Sequence, residues 1–243
     1  MVQEIKKISD QFWNIRGSFK VKGLLDIGTH SSLVRLNNGK FVFLDSLKLD
    51  GKALDEVNKA TNNGKDLEAV LNLHPFHTVH TEWAHKEFPN AKHYGTKRHI
   101  EKFPELNWEE LKTEDSKLHE LYSDDLKFSV PCGVEFIPEN ENLHFSSVIV
   151  YHPSSKSMHV DDTFMHINLP KLLKFFGIGA EISFHPTLSK TLEKRPEAAN
   201  EFKEWAKGLI DSWSDCENLC AAHTSSLIGS KRPIHKELKK ALQ

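Results

Sequence analysis

Apolar positions along this chain come mostly in short runs bounded by turn residues, and a single long helical stripe appears only near the C-terminus. Residues 11–20, 24–36 and 40–44 are rich in β-branched and aromatic side chains, and Asn37-Asn38-Gly39 between the last two is a tight-turn signal. They predict an N-terminal antiparallel meander. Phe41-Val42-Phe43-Leu44 is continuously apolar, as in a strand buried on both faces, and Asp45 and Ser46 end it. Leu54, Val57 and Ala60 then recur at helical spacing over residues 50–62, and Asn63-Gly64 stops that helix before a second apolar strand at 67–73. Strand, helix and strand in succession predict a right-handed crossover whose parallel strands end on one rim, carrying both Asp45 and His74.

Downstream, residues from Thr81 read as a helix closing at Pro89-Asn90, residues 92–96 as a short strand and residues 101–125 as a charged loop. A second strand-rich group follows at 127–130, 133–137, 146–151 and 157–160, with Pro153-Ser154-Ser155-Lys156 as a hairpin turn. The last third is mainly helical. Phe202, Trp205, Leu209 and Trp213 mark one buried face, residues 219–222 are the late strand that delivers His223, and residues 233–243 form a basic helix. Two strand groups, each followed by helices, predict an α+β fold in four layers, an αββα sandwich.

Composition narrows the class. With 243 residues and no linker-like or repeated segment, residues 1–243 read as a single domain. Acidic and basic side chains nearly cancel, 34 against 32, so no net field draws in nucleic acid or an anionic membrane. No apolar run has a membrane span's length, and the first residues lack the core of a secretory signal, so the expected location is cytoplasmic. Cys132, Cys216 and Cys220 are too few for a disulfide framework and read as small buried hydrophobes.

Histidine, at 15, is the unusual count. His74, His77 and His80 follow one apolar run directly, while His144, Asp161 or Asp162, and His223 flank others. Imidazoles and a carboxylate at the ends of separate strands are the layout of a metal site. His77, in the tight turn after the strand, is favoured over His80, which begins a helix. Neutral imidazoles with one carboxylate suit Zn²⁺ first, with Fe or Mn also acceptable. His30, His85, His93, His99, His119 and His235 read as surface residues, His152 and His159 as structural ones, and His166 and His185 stay undecided.

The order Asp45, crossover, histidine cluster, His144, Asp161-Asp162 and His223 resembles the metallo-β-lactamase superfamily over nearly the whole chain. The superfamily's first motif, His-x-His-x-Asp-His after an apolar strand, matches at Val70-Leu71-Asn72-Leu73-His74 and then departs. Phe76, Thr78 and Val79 stand where the second His, the Asp and the last His belong, and His77 and His80 fall one residue late. The chain is similar to a divergent member that lacks the usual Asp ligand of a second metal. The resemblance makes His144 the lone third-motif histidine and Asp161 or Asp162 the bridging carboxylate. It makes His223 the late second-metal ligand and Asp45 the aspartate that buttresses the ligand loop. The strand alignment points to Asp162, the spacing to Phe164 points to Asp161.

The chemistry expected is a metal-dependent hydrolase, in which a metal-bound hydroxide attacks a small-molecule ester, thioester, lactone or phosphoester and Asp161 or Asp162 orients it. A di-iron oxidoreductase and a non-catalytic metal- or ligand-binding protein are the alternatives. Residues 96–125 and 169–190 are the expected groove walls, and the sequence leaves substrate identity and oligomeric state open.

Overall fold

A computed structural model describes residues 3–21, 24–166, 182–223, 225–229 and 233–242, so residues 169–181 of the expected second groove wall, and Gln243 at the end of the expected last helix, lie outside the described residues. The strands are β1 Glu4–Ser9, β2 Phe12–Gly17, β3 Lys20–Val21, β4 Leu25–Asp26, β5 Thr29–Arg35, β6 Phe41–Leu44, β7 Leu67–Leu71, β8 Lys92–Tyr94, β9 Lys127–Ser129, β10 Ile149–His152, β11 Ser157–Val160, β12 Phe164–His166, β13 Ile182–Phe184 and β14 Asn218–Ala221. The chain divides into two compact units, one running to Phe128 and including His152–Ser155, the other made of the remainder.

The first unit holds a six-stranded sheet in the order β1-β2-β5-β6-β7-β8. The expected meander is there: β1, β2, β5 and β6 pair antiparallel in turn, and Gly39 closes the β5–β6 turn at φ 84, a left-handed conformation that glycine adopts without a Cβ clash. The expected crossover is there too. β6 pairs parallel with β7, and the helix Gly51–Ala60 between them ends where Asn62, Asn63 and Gly64 all take positive φ. Ile15, Leu33, Phe43 and Val70 on the sheet pack against Ala53 and Val57 of that helix and against Ala84 and Phe88 near the helix Thr81–Glu87.

In the second unit the strand order is β14-β11-β10, with β11 and β14 parallel. Met158, Val160, Leu219 and Ala221 pack against Leu209, Ile210 and Trp213 of the helix segment Ala198–Ser212 and its cap, and against Ile234 and Leu238 of the helix Ile234–Ala241. Tyr151 stacks on Trp213 with ring centroids 5.3 Å apart. The aromatic stripe seen in the sequence is therefore core.

Several expectations change. Residues 133–137 are not a strand: Gly133 sits at φ 70, and a Cβ there would come 2.1 Å from the Ala198 carbonyl oxygen, so the segment makes a single bridge, Val134 to Leu192. Residues 101–125 are not all loop, since the helix Lys97–Lys102 runs into them and the helix Ser116–Leu121 lies within. Each is six residues with one buried side chain, His99 or Leu118, too little for a periodic signal. The late hairpin of β12 and β13, three residues each, escaped notice for the same reason. Cys132 is exposed, whereas Cys216 and Cys220 are buried as expected. Among the described residues no helix is long and apolar enough to cross a membrane.

Candidate metal centre

In the first unit the candidate ligands come from a turn fixed by the strand before it. β7 ends at Leu71, and the next backbone groups are captured in sequence. Asn72 N–H donates to the Tyr94 carbonyl at 2.9 Å, Thr113 Oγ1 donates to the Asn72 carbonyl at 2.8 Å, and Leu73 N–H donates to Asp45 Oδ1 at 2.7 Å. Asp45 itself is buried at φ 59, so its carboxylate is a local buttress, the part the resemblance gave it. His74 is fully buried. The turn then folds back, with His77 N–H donating to the His74 carbonyl at 3.1 Å, and the two imidazoles stack with centroids 4.1 Å apart. His80 is the half-buried N-cap of the next helix, as expected, and burial together with Lys48 lowers its pKa.

A third imidazole joins this turn. His99 is fully buried on the helix Lys97–Lys102, and burial pushes its pKa down to about 3 despite a hydrogen bond with the His77 backbone. The expectation that His99 is a surface residue is wrong, as it is for His30 and His93, which are also buried. His30 Nδ1 lies 3.1 Å from Asn14 Nδ2, and His93 Nε2 lies 2.9 Å from the Phe88 carbonyl oxygen, contacts that engage one nitrogen of each ring inside a core. His152, read as structural, is buried beside Phe12 and bonded to Ser155.

In the second unit the candidates come from three separate segments held together by backbone bonds. Parallel β11 and β14 end side by side, and Ala222 N–H donates to the Val160 carbonyl at 3.1 Å, so Asp162 and His223 emerge at one edge. Thr163 Oγ1 donates to the Phe145 carbonyl at 3.0 Å and accepts from Ser147 N–H at 3.3 Å, which brings in the His144 segment. The outcome is a buried carboxylate with His223 Nε2 3.1 Å from Asp162 Oδ1 and His144 Nε2 3.7 Å from Asp162 Oδ2. His144 Nδ1 lies 2.7 Å from the Glu141 carbonyl oxygen, an acceptor only, so the proton sits on Nδ1 and Nε2 offers its lone pair. Of the two aspartates left open by the sequence, Asp162 is the one beside these imidazoles. Asp161 lies one residue away, on the strand face that His159 also occupies by alternation.

The undecided histidines separate here. His185, at the end of β13, belongs to this cluster: its ring centroid is 6.1 Å from that of His144, and Nδ1 contacts Thr187 Oγ1 at 2.7 Å, which in turn donates to the His144 carbonyl. Burial lowers its pKa, and the nearby Asp162 opposes that. His166 bonds Ser225 Oγ at 2.8 Å.

No family model and no curated protein matches the sequence. Solved structures do match. TMB-1 superposes with a TM-score of 0.65 at 13% identity, covering 100% of this chain and 97% of that one. A metallo-β-lactamase from Pontibacter korlensis gives 0.60 at 13% identity, with 99% of each chain covered, and FIM-1 from Pseudomonas aeruginosa gives 0.62 at 8%, covering 100% and 95%. The fold is that of the metallo-β-lactamases. The α+β class read from the sequence is thus correct.

Within a metallo-β-lactamase fold the departures in the first motif acquire a physical description. Arg98 and Lys102 stand four residues apart on one helix. The Arg98 guanidinium lies 4.6 Å from the ring centroid of Phe76, and Lys102 Nζ donates to Thr78 Oγ1 at 2.6 Å. A cation therefore lies against Phe76 and Thr78, two of the three positions at which this chain departs from the motif it resembles. Sequence reading missed this pair, although its i,i+4 spacing just downstream of the motif was there to see.

Proposed function

We propose that the protein is a metal-dependent hydrolase acting on an ester, thioester, lactone or phosphoester. The single observation that carries this reading is the buried Asp162 carboxylate with the Nε2 atoms of His223 and His144 at 3.1 and 3.7 Å, in a chain whose full length has the metallo-β-lactamase fold. The donor set fits zinc: neutral imidazoles and one carboxylate, buried, with His144 held in the tautomer that leaves Nε2 available. In the second unit His144, Asp162 and His223 would hold the ion, and in the first unit His74 and His77 are the candidate ligands, with Asp161 and His80 outside these sets.

When bound, zinc lowers the pKa of water toward neutrality and polarises the bond to be cleaved. The chain's own groups do the rest. Asp162 would accept a hydrogen bond from the attacking water and set its direction, the Glu141 carbonyl holds the His144 ring, and Asp45 holds the turn that carries His74 and His77. The charges beside that turn favour one ion over two, because the Lys102 ammonium at Thr78 raises the electrostatic cost of a second cation nearby. FIM-1, similar in fold, is described in a mono-zinc form.

The test is the metal content of the purified protein against a His77→Ala/His144→Ala double variant, with turnover on an ester and phosphoester panel at full metal occupancy. One zinc per chain, lost in the variant, with chelation abolishing hydrolysis, is the expected result. Equal metal content in the two proteins overturns the ligand set. Iron with oxygen-linked turnover makes the protein an oxidoreductase, and a metal-free protein of unchanged stability makes it a binding protein.

A further inference from the structure

A cavity of about 540 Å³ opens beside the second-unit histidines, within the ~300–1,000 Å³ typical of small-molecule sites. Its wall includes Phe184, His185, Leu192, Ala199, Phe202 and Leu242. Phe184 and Leu192 are only partly buried although they pack on a core of Val134, Phe145 and Phe202. The Phe184 and Phe202 rings meet edge to face at 5.2 Å, which gives the cavity a rigid aromatic side. His185 connects it to chemistry, because the same residue that lines the cavity stands 6.1 Å, ring to ring, from His144 and interacts with Asp162.

We propose that this cavity receives the hydrophobic acyl group of the substrate, so that the bond cleaved is that of a medium-chain acyl ester or thioester. This rests on the hydrolase reading above. A phosphoester has no aliphatic arm on its reacting atom to fill such a wall, and an acetyl group leaves it in contact with water. In the reaction the water oxygen bonds to the acyl carbon and the C–O or C–S bond breaks. One water proton goes to the departing alcohol or thiol, and the carboxylic acid formed releases the other to solvent.

Each methylene moved from water to an apolar wall contributes at most roughly fourfold in affinity, so four of them give a measurable preference even when burial is partial. Zinc-loaded protein is assayed on p-nitrophenyl acetate and hexanoate, and binding of acetate and hexanoate is measured in parallel by calorimetry, for the native chain and for Ala199→Trp, which fills the cavity from an exposed helix position. The expected result is a kcat/KM about tenfold or more higher for hexanoate, a matching preference in binding, and loss of both preferences in A199W. Turnover that ignores chain length, with no preference for hexanoate in binding, overturns the acyl pocket and leaves the hydrolase reading standing. No turnover of either ester, with hexanoate still preferred and the preference lost in A199W, sustains the pocket and removes the hydrolase. Neither turnover nor preference overturns both.

Discussion

The two units deliver their imidazoles by different means. In the first, His74 and His77 share one tight turn after a parallel strand, an arrangement held by local bonds and one buttressing carboxylate, Asp45, and the cations Arg98 and Lys102 lie against Phe76 and Thr78 of that turn. In the second, His144, Asp162 and His223 come from segments far apart in sequence, tied by Thr163 and by the parallel pairing of β11 with β14, around a carboxylate. The difference is electrostatic as well as topological. The turn of the first unit carries two cations against it and the second unit holds a buried carboxylate, so the second is expected to dominate metal affinity.

The largest test of that contrast is Asp162→Asn, which keeps the shape and removes the charge. Turnover is expected to fall on the order of a thousand-fold, with zinc retention falling alongside, whereas a His74→Ala protein retaining less zinc than D162N would reverse the ranking of the two units. Next comes Asp45→Ala. It strips the Leu73 N–H of a charged acceptor inside the first unit and should lower unfolding free energy by about 1.5–3 kcal/mol, read from urea titrations. Its counterpart in the second unit, Thr163→Val, leaves the Phe145 carbonyl and Ser147 N–H without that hydroxyl and should cost about 1–3 kcal/mol. A near-zero effect there would mean that strand pairing alone positions His144.

Acid sensitivity distinguishes the units more gently. Burial, with His93 stacked 3.8 Å away, pushes the His85 pKa down to about 4 from 6.5, so between those values the unfolded chain binds more protons than the folded one. This contribution is complete above pH 6.5 and is lost as pH falls toward 4. The urea midpoint should therefore decline over that window, and His85→Leu should flatten the decline; an unaltered slope would discard the assignment. The smallest effect is expected from Lys102→Ala, which removes an ammonium near His99 and should tighten zinc retention a few fold.

Most of the first unit was legible because its signals are local. An Asn-Gly turn, a helix stopped by Asn63-Gly64 and unbroken apolar strands each declare themselves within a few residues. The second unit was less so. Gly133 looked like the start of a strand because nothing in its neighbours announces the close approach of Ala198, and the strands and helices of three to six residues carry too few positions to show a period. His99 and His30 were misjudged as exposed because a buried imidazole depends on partners such as Thr96 and Asn14, and a lone histidine in a sequence does not reveal them.

What the amino-acid order determined by itself was the supply of candidate ligands: which apolar strands end in histidine or aspartate, and that Thr78 stands where the motif it resembles has an Asp. Only the tertiary structure decided among them. Asp162 rather than Asp161 meets His144 and His223, and His185 joins that group, because adjacent residues at a strand end point to opposite faces and a contact between distant segments is set by which strands pair. Spacing along a chain carries the first kind of information and is blind to the second.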